Sequence, residues 1–332
     1  MRCLKILLIV ALFLSSKGYG QDIHFSSTSF NPMFYNPAMT AFSNEKFRFS
    51  TIYRNQWQTI SPGYNTFFSA LEFQPYFSSA NSMGVGLGIS FANDVAGSLS
   101  YGERDFAISS SFFKSLDRND RTYLSIGIAV MHKNWSYDIS AIQFNPNNIY
   151  DDNITYDNLN TFDANLGFSF QYAKDEQHLF SIGASIFHLN TPSFTYIKDN
   201  ENYIHRRIFT NISYLFPIKN SENLTLNPKI FFSHQHNYSE ILAGTDLNIK
   251  LIDAIFTTQI LSCGLYMRNL DAIIISPSFR YNNFFVGMSY DVNISRLNKV
   301  SHTYGGVELW ISYSFSPYYS NQKQTKIPCP IF

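Results

Sequence analysis

Long stretches of this chain alternate bulky apolar residues with small or polar ones. In "MGVGLGISFAND" (83–94), Val85, Leu87, Ile89 and Phe91 share one face, and Gly84, Gly86, Gly88, Ser90 and Ala92 share the other, because successive side chains of a strand point to opposite sides. Ala164, Leu166, Phe168, Phe170 and Tyr172 stand against Asp163, Asn165, Gly167, Ser169 and Gln171 in the same way. Val286, Met288, Tyr290, Val292 and Ile294 oppose Gly287, Ser289, Asp291, Asn293 and Ser295, and Ile241, Ala243, Thr245, Leu247 and Ile249 oppose Leu242, Gly244, Asp246, Asn248 and Lys250. The pattern predicts about fourteen strands, near 46–53, 64–73, 83–92, 104–113, 122–133, 162–172, 179–188, 206–216, 224–234, 240–250, 257–267, 272–281, 284–294 and 304–315.

A sandwich whose apolar faces point inward also alternates. Three features favour a barrel turned inside out. The strands are about ten residues long, matching the ~9–11 that a tilted strand needs to cross a bilayer. The polar face carries Gly, Ser and Asn rather than Lys and Glu, as suits a crowded lumen. The connections alternate between long and tight, with 134–161 the longest and 189–205 also long. Outer-membrane barrels pair short periplasmic turns with longer outer loops, and an even strand number puts both chain ends on the periplasmic side. The reading is therefore all-β: an up-and-down antiparallel transmembrane barrel of the outer-membrane type, closed because lipid leaves no partner for an open edge.

Composition strengthens this picture. Aromatic residues make up 17% and charged residues 14% of the 332, against roughly 25% charged in an ordinary soluble domain. Net charge is zero, which gives nucleic acid no electrostatic hold. Arg2 and Lys5 precede a short apolar run, Ile6 to Leu14, and Gly18 and Gly20 stand before Gln21. That is the form of a secretory signal peptide, residues 1–20. Residues 21–45 then form an N-terminal segment expected on the periplasmic side, 46–316 the barrel, and 317–332 a periplasmic tail.

The N-terminal segment holds two Asn-Pro steps, Asn31-Pro32 and Asn36-Pro37, around Met33, Phe34 and Tyr35. Proline pushes the residue before it out of the helical region, so Asn31 and Asn36 should be extended and 29–40 should not be helical. Phe30, Phe34 and Tyr35 become fixed apolar knobs, which either cap or plug the barrel or dock a periplasmic subunit. "YRNQW" (53–57) ends the first strand at Tyr53. Tyr53 and Trp57 suit the membrane interface. Alternatively Arg54 faces the lumen and pairs bidentately with Asp94.

Several blocks together resemble the PorP/SprF family of outer-membrane proteins: "FNPMFYNPA" (30–38), "YRNQW", "GVGLGISFANDVAG" (84–97), "LFPIKNSENLTLNPKIFF" (215–232), "VGMSYDVNISRLN" (286–298) and the terminal "CPIF". The resemblance implies a non-enzymatic barrel of type IX secretion and gliding motility. Such a barrel would support export or surface attachment of a cargo or adhesin protein, beside periplasmic ring and peptidoglycan-binding subunits. The rival reading is a diffusion channel or small-molecule transporter, and the sequence leaves the lumen open or plugged.

Catalytic, cofactor and phosphate-binding motifs are missing from the sequence. His234 and His236 in "SHQHN" lack an evident third metal ligand. The carboxylates of "YDDN" (150–153) with Asp157 fit no calcium loop. Cys263 falls on the Leu261/Leu265/Met267 face toward lipid and Cys329 in the tail, an arrangement that argues against a disulfide.

Overall fold

The computed structural model describes residues 22–27, 30–56, 63–78, 82–97, 100–136, 158–195, 202–219, 221, 223–254, 257–295 and 303–317. Fourteen strands follow one another in chain order: β1 (Phe47–Gln56), β2 (Tyr64–Ser78), β3 (Met83–Ala96), β4 (Tyr101–Ser115), β5 (Thr122–Ser136), β6 (Asn158–Asp175) and β7 (His178–Phe187). The second half comprises β8 (Arg207–Pro217), β9 (Leu224–Gln235), β10 (Tyr238–Ala254), β11 (Thr257–Arg268), β12 (Ala272–Tyr281), β13 (Phe284–Asn293) and β14 (Tyr304–Phe315). Each pairs antiparallel with its sequence neighbours, and β1 pairs with β14 from Phe47↔Phe315 to Gln56↔Gly306, so the sheet closes on itself. Closure pairs the backbone groups that lipid would leave bare. Among the described residues no helix is long and apolar enough to cross a membrane.

The strands outrun the expected boundaries. β3 and β4 continue past the apolar band, pairing Asn93 with Arg104 and Asp94 with Glu103. The connection expected to be longish there shrinks to 97–100, shorter than the turn 116–121 expected to be tight. Polar strand ends stay in the ladder because backbone pairing does not depend on side-chain polarity. The strand ends that flank the longest intervals of the chain, Ser136 and Asn158, Phe187 and Arg207, Asn293 and Tyr304, lie at one end of the barrel. At the other end, where β1 starts and β14 stops, all connections are short. Pro75 lacks an N–H for the ladder, and the β2–β3 register shifts beside it, between Phe73 and Tyr76.

The two faces sort as the alternation demands. Ile108, Ile128 and Leu265 are each more than half exposed on the outside, whereas Ser50, Glu72 and Ser289 are fully buried inside. Cys263 lies outward beside exposed Leu261 and Leu265.

The core is formed where the N-terminal segment meets the inner wall. Ile23, Phe25, Phe30, Met33 and Tyr35 pack against Ile52, Phe68, Ala70, Ala92, Phe187, Phe209 and Trp310. Met39 and Phe42 pack on Phe113 and Tyr123. Those last two belong to the short-turn ends of β4 and β5. Ser26 instead meets Arg54, Glu308 and Asp291, near the opposite ends of β1, β14 and β13. Residues 22–27 and 30–42 therefore span the lumen from end to end. They lie inside the barrel rather than beyond the end where β1 begins. Asp22 and Ser316 lie at opposite ends of the barrel rather than together.

Candidate functional site

The luminal segment is built on its two Asn-Pro steps. Asn31 and Asn36 are extended as expected, at φ −138° and −153°. The stretch is nevertheless partly helical: a single turn α1 (Pro32–Tyr35) is followed by a 3-10 turn, Pro37–Met39. Each proline occupies the first helical position, where no N–H is needed. Each asparagine caps the turn that follows: Asn31 Oδ1 accepts from Phe34 N at 3.2 Å and Asn36 Oδ1 from Ala38 N at 2.9 Å.

Aromatic residues hold the middle. Tyr35 stacks on Phe209 at 4.9 Å, Phe34 meets Phe68 edge-on at 5.0 Å, and Phe30 lies 5.7 Å from Trp310. The Tyr35 hydroxyl lies 3.0 Å from both Phe25 N and Phe25 O, tying the segment to itself. Asn31 Nδ2 donates to Ser50 Oγ.

The turn 36–40 rests on small residues of β3 to β7. A Cβ at Gly127 would lie 2.3 Å from Pro37 O, and one at Gly167 would lie 2.0 Å from Asn36 Oδ1. Serines beside these glycines supply hydrogen bonds to segment carbonyls: Ser125 to Ala38 O at 2.5 Å, Ser111 to Thr40 O at 2.6 Å and Ser185 to Tyr35 O at 2.6 Å. Asn36 Nδ2 donates to Phe168 O at 2.9 Å. The inward Gly/Ser face is thus a seat shaped to polypeptide backbone.

Charged side chains grip the segment at three points. Near the short-turn end, Arg48 donates two hydrogen bonds to Glu72 at 2.7 and 2.6 Å, and Glu72 accepts from Ala41 N at 2.7 Å. Toward the other end, Glu308 accepts from Ser26 N at 2.6 Å, Ser27 N at 2.8 Å and Arg54 at 2.6 Å. Arg268 bonds Asp291 at 3.1 Å, and Ser26 Oγ donates to that carboxylate at 2.6 Å. At the long-connection mouth, His188 bridges Asp22 at 2.7 Å and Asp163 at 2.6 Å, with Arg207 3.4 Å from Asp22. His188 lies in the β7–β8 connection. Burial would lower its pKa, but the Asp22 and Asp163 carboxylates outweigh burial and push it up to about 9. For Asp22, burial alone would raise the carboxyl; His188 and Arg207 beside it hold it far below the usual range.

Of the residues singled out in the sequence, Phe30, Asn31, Pro32, Phe34, Tyr35, Asn36 and Pro37 come together in the lumen. Phe30 and Tyr35 are buried there, so their rings are not displayed toward solvent. Tyr53 faces outward and donates to Asn65 Oδ1 at 2.9 Å. β1 continues to Gln56, so Arg54 belongs to the strand rather than to a loop. It does face inward, but its partners are Glu308 and Asp291. Asp94 instead takes Thr66 Oγ1 at 2.5 Å, because β14 lies against β1 on the side away from β2 and β3. Trp57, Cys329 and the carboxylates of 150–157 lie outside the described residues. His234 bonds Ser239 at 2.8 Å, and His236 stacks on His205 at 3.9 Å, so the two histidines engage different partners.

Sequence reasoning missed the partners Glu72, Glu308, Asp291, Arg268 and His188. The signal was present in part. Arg48, Glu72 and Glu308 each stand singly between bulky apolar neighbours, in "FRF", "LEF" and "VELW", and alternation turns such a residue inward.

The sequence matches a family model over residues 17–313, described as "Type IX secretion system membrane protein PorP/SprF". No curated protein matches the chain. Among solved structures, the toluene transporter TbuX of Ralstonia pickettii superposes with a TM-score of 0.53 at 9% identity, over 86% of this chain and 92% of that one. A deltaS2S3 mutant of the monoaromatic hydrocarbon channel TodX gives 0.52 at 8% identity, over 86% and 94%. At such identities the likeness is one of fold.

Proposed function

The chain belongs to the PorP/SprF family of type IX secretion system membrane proteins, and from that premise we propose that it is a plugged outer-membrane barrel supporting export or surface attachment of a cargo protein. The short-turn end faces the periplasm in this reading, where the barrel meets ring and peptidoglycan-binding subunits of the machine. The long connections face outward, in keeping with the general build of outer-membrane barrels.

The observation that carries the reading is the occupied lumen. Residues 22–27 and 30–42 are wedged between opposite walls by seven buried apolar side chains and by hydrogen bonds that use backbone as much as side chain. A barrel so filled acts as a scaffold rather than an open diffusion pore. Its role in secretion is to hold and position other chains. Docking by Phe30, Phe34 and Tyr35 would require the segment to leave the lumen.

The rival is a small-molecule transporter, a reading suggested by what the two structural neighbours are named for. Planar-bilayer recordings separate the two. The full chain is expected to be nearly silent, and removal of residues 22–40 is expected to give a steady conductance. A large steady conductance from the intact chain would overturn the plugged-scaffold reading. Mild-detergent purification from the native membrane should bring periplasmic ring subunits or one secreted adhesin along, and elution of the barrel by itself would count against the contact with the machine.

A further inference from the structure

Where β3 to β6 leave the apolar band toward the long-connection end, their outward faces change character together. The ladder pairs Asn93 with Arg104, Arg104 with Asn134 and Asn134 with Asn160, so four polar side chains stand in one row across four adjacent strands. Two residues nearer the middle of the barrel, on the same face, the row reads Phe91, Phe106, His132 and Phe162. Its phenylalanines are 41%, 48% and 68% exposed. At ~4.8 Å between neighbouring strands, the polar row is roughly 14 Å long.

The row carries a cation and no anion. The carboxylates of these strand ends turn inward, where Asp94 accepts from Thr66 and where Glu103 and Asp105 hold Lys133. Arg104 is exposed and, among the described residues, pairs with no carboxylate. The carboxamides beside it fix one another: Asn134 Nδ2 donates to Asn160 Oδ1 at 3.0 Å and to Asn158 Oδ1. A guanidinium pairs bidentately with phosphate, and a carboxamide offers donors and an acceptor without charge, which suits the hydroxyl and amide groups of a sugar. The head of a simple phospholipid needs only the cation. A phosphorylated saccharide with acyl chains uses the cation, the carboxamides and the aromatic row beneath them together.

We propose that this row is a binding site for the head group of an acylated, phosphorylated saccharide lipid. Arg104 takes a phosphate, Asn93, Asn134 and Asn160 take the polar groups of the sugar, and the acyl chains lie on Phe91, Phe106 and Phe162. The site goes beyond the scaffold role, but it rests on the orientation given in that reading, which puts the long connections and this row at the outer leaflet.

Native mass spectrometry of the full chain in detergent tests this, with diphosphoryl lipid A as probe and phosphatidylglycerol as a lipid that has phosphate but no sugar ring. Lipid A should bind roughly tenfold or more tightly than phosphatidylglycerol, and Arg104→Gln should weaken it roughly tenfold. Asn134→Leu should weaken lipid A and leave phosphatidylglycerol as it was. Lys114→Gln, exposed on the outward face of β4 at its short-turn end, should leave lipid A binding unchanged. Heat-modifiable gel mobility shows that each variant still forms the barrel. Equal binding of the two lipids, unchanged lipid A binding in folded Arg104→Gln, or an equal loss in Lys114→Gln would overturn the site, leaving ordinary anchoring at the membrane interface. Orientation is read separately, with Asn158→Cys in a background where Cys263 and Cys329 are serine: a membrane-impermeant maleimide should label it on intact cells. No labelling would overturn the orientation and the site with it, whereas labelling combined with equal lipid binding would overturn the site alone.

Discussion

Replacing Gly127 with alanine should unseat the luminal segment while leaving the barrel wall intact. The new methyl would stand 2.3 Å from Pro37 O and 2.5 Å from Ala38 N, both backbone atoms that cannot rotate aside. Ordinary contact requires the turn to retreat by about 1 Å. A retreat of that size breaks or stretches the bonds from Ser125 to Ala38 O, from Ser111 to Thr40 O, from Thr40 Oγ1 to Ser109 and from Asn36 to Phe168 O. At about 0.5–1.5 kcal/mol net for each bond, the seat loses roughly 2–6 kcal/mol. β5 itself is undisturbed, since its ladder to β4 and β6 uses only backbone. Ser27→Cys, in a background with Cys263 and Cys329 changed to serine, reports the seat through a water-soluble maleimide, because Ser27 is buried behind Glu308. Labelling should be slow in the parent and many times faster with Gly127→Ala, together with a new bilayer conductance. Equal labelling rates in two folded proteins would refute the argument that the glycines serve the backbone of the segment.

Arg54→Ala leaves Glu308 buried without its guanidinium, while Asp291 keeps Arg268, and a broken buried pair costs about 3–5 kcal/mol; urea titration of the folded barrel should show a loss of that order, and an unchanged midpoint would count against the network. Seating of the N-terminal end should weaken at high pH: His188 is raised from 6.5 to about 9 by its carboxylates, so its stabilisation is complete below about pH 6.5 and fades as pH climbs through about 9. Maleimide labelling of Ser27→Cys should therefore accelerate over that interval, and His188→Gln should flatten the profile. Asp22 works in the opposite sense, since its lowered carboxyl contributes above the ordinary value of 3.8 and loses its hold on acidification. Native Cys263, exposed between Leu261 and Leu265, should react with a membrane-soluble maleimide in intact membranes and resist a water-soluble one; the reverse preference would place that face in water.

The wall of the barrel is legible in the sequence because each strand carries its own instructions. Alternation with a period of two needs no distant partner, and lipid imposes one rule on every outward position. The face of Cys263, the inward turn of Arg54 and the fourteen strands follow from that local rule. The contents of the barrel are not legible in the same way. Gly127, Gly167 and Ser125 look alike whether they line an open pore or seat a peptide, and the choice depends on residues some ninety to a hundred and thirty positions earlier. Arg54 could be given a carboxylate partner from sequence, yet the one chosen lay on β3. Only closure of β14 onto β1 brings Glu308 to it, across more than 250 residues of chain. Local periodicity determines which way a side chain points; what it meets there is decided by the closed sheet and by the segment threaded through it.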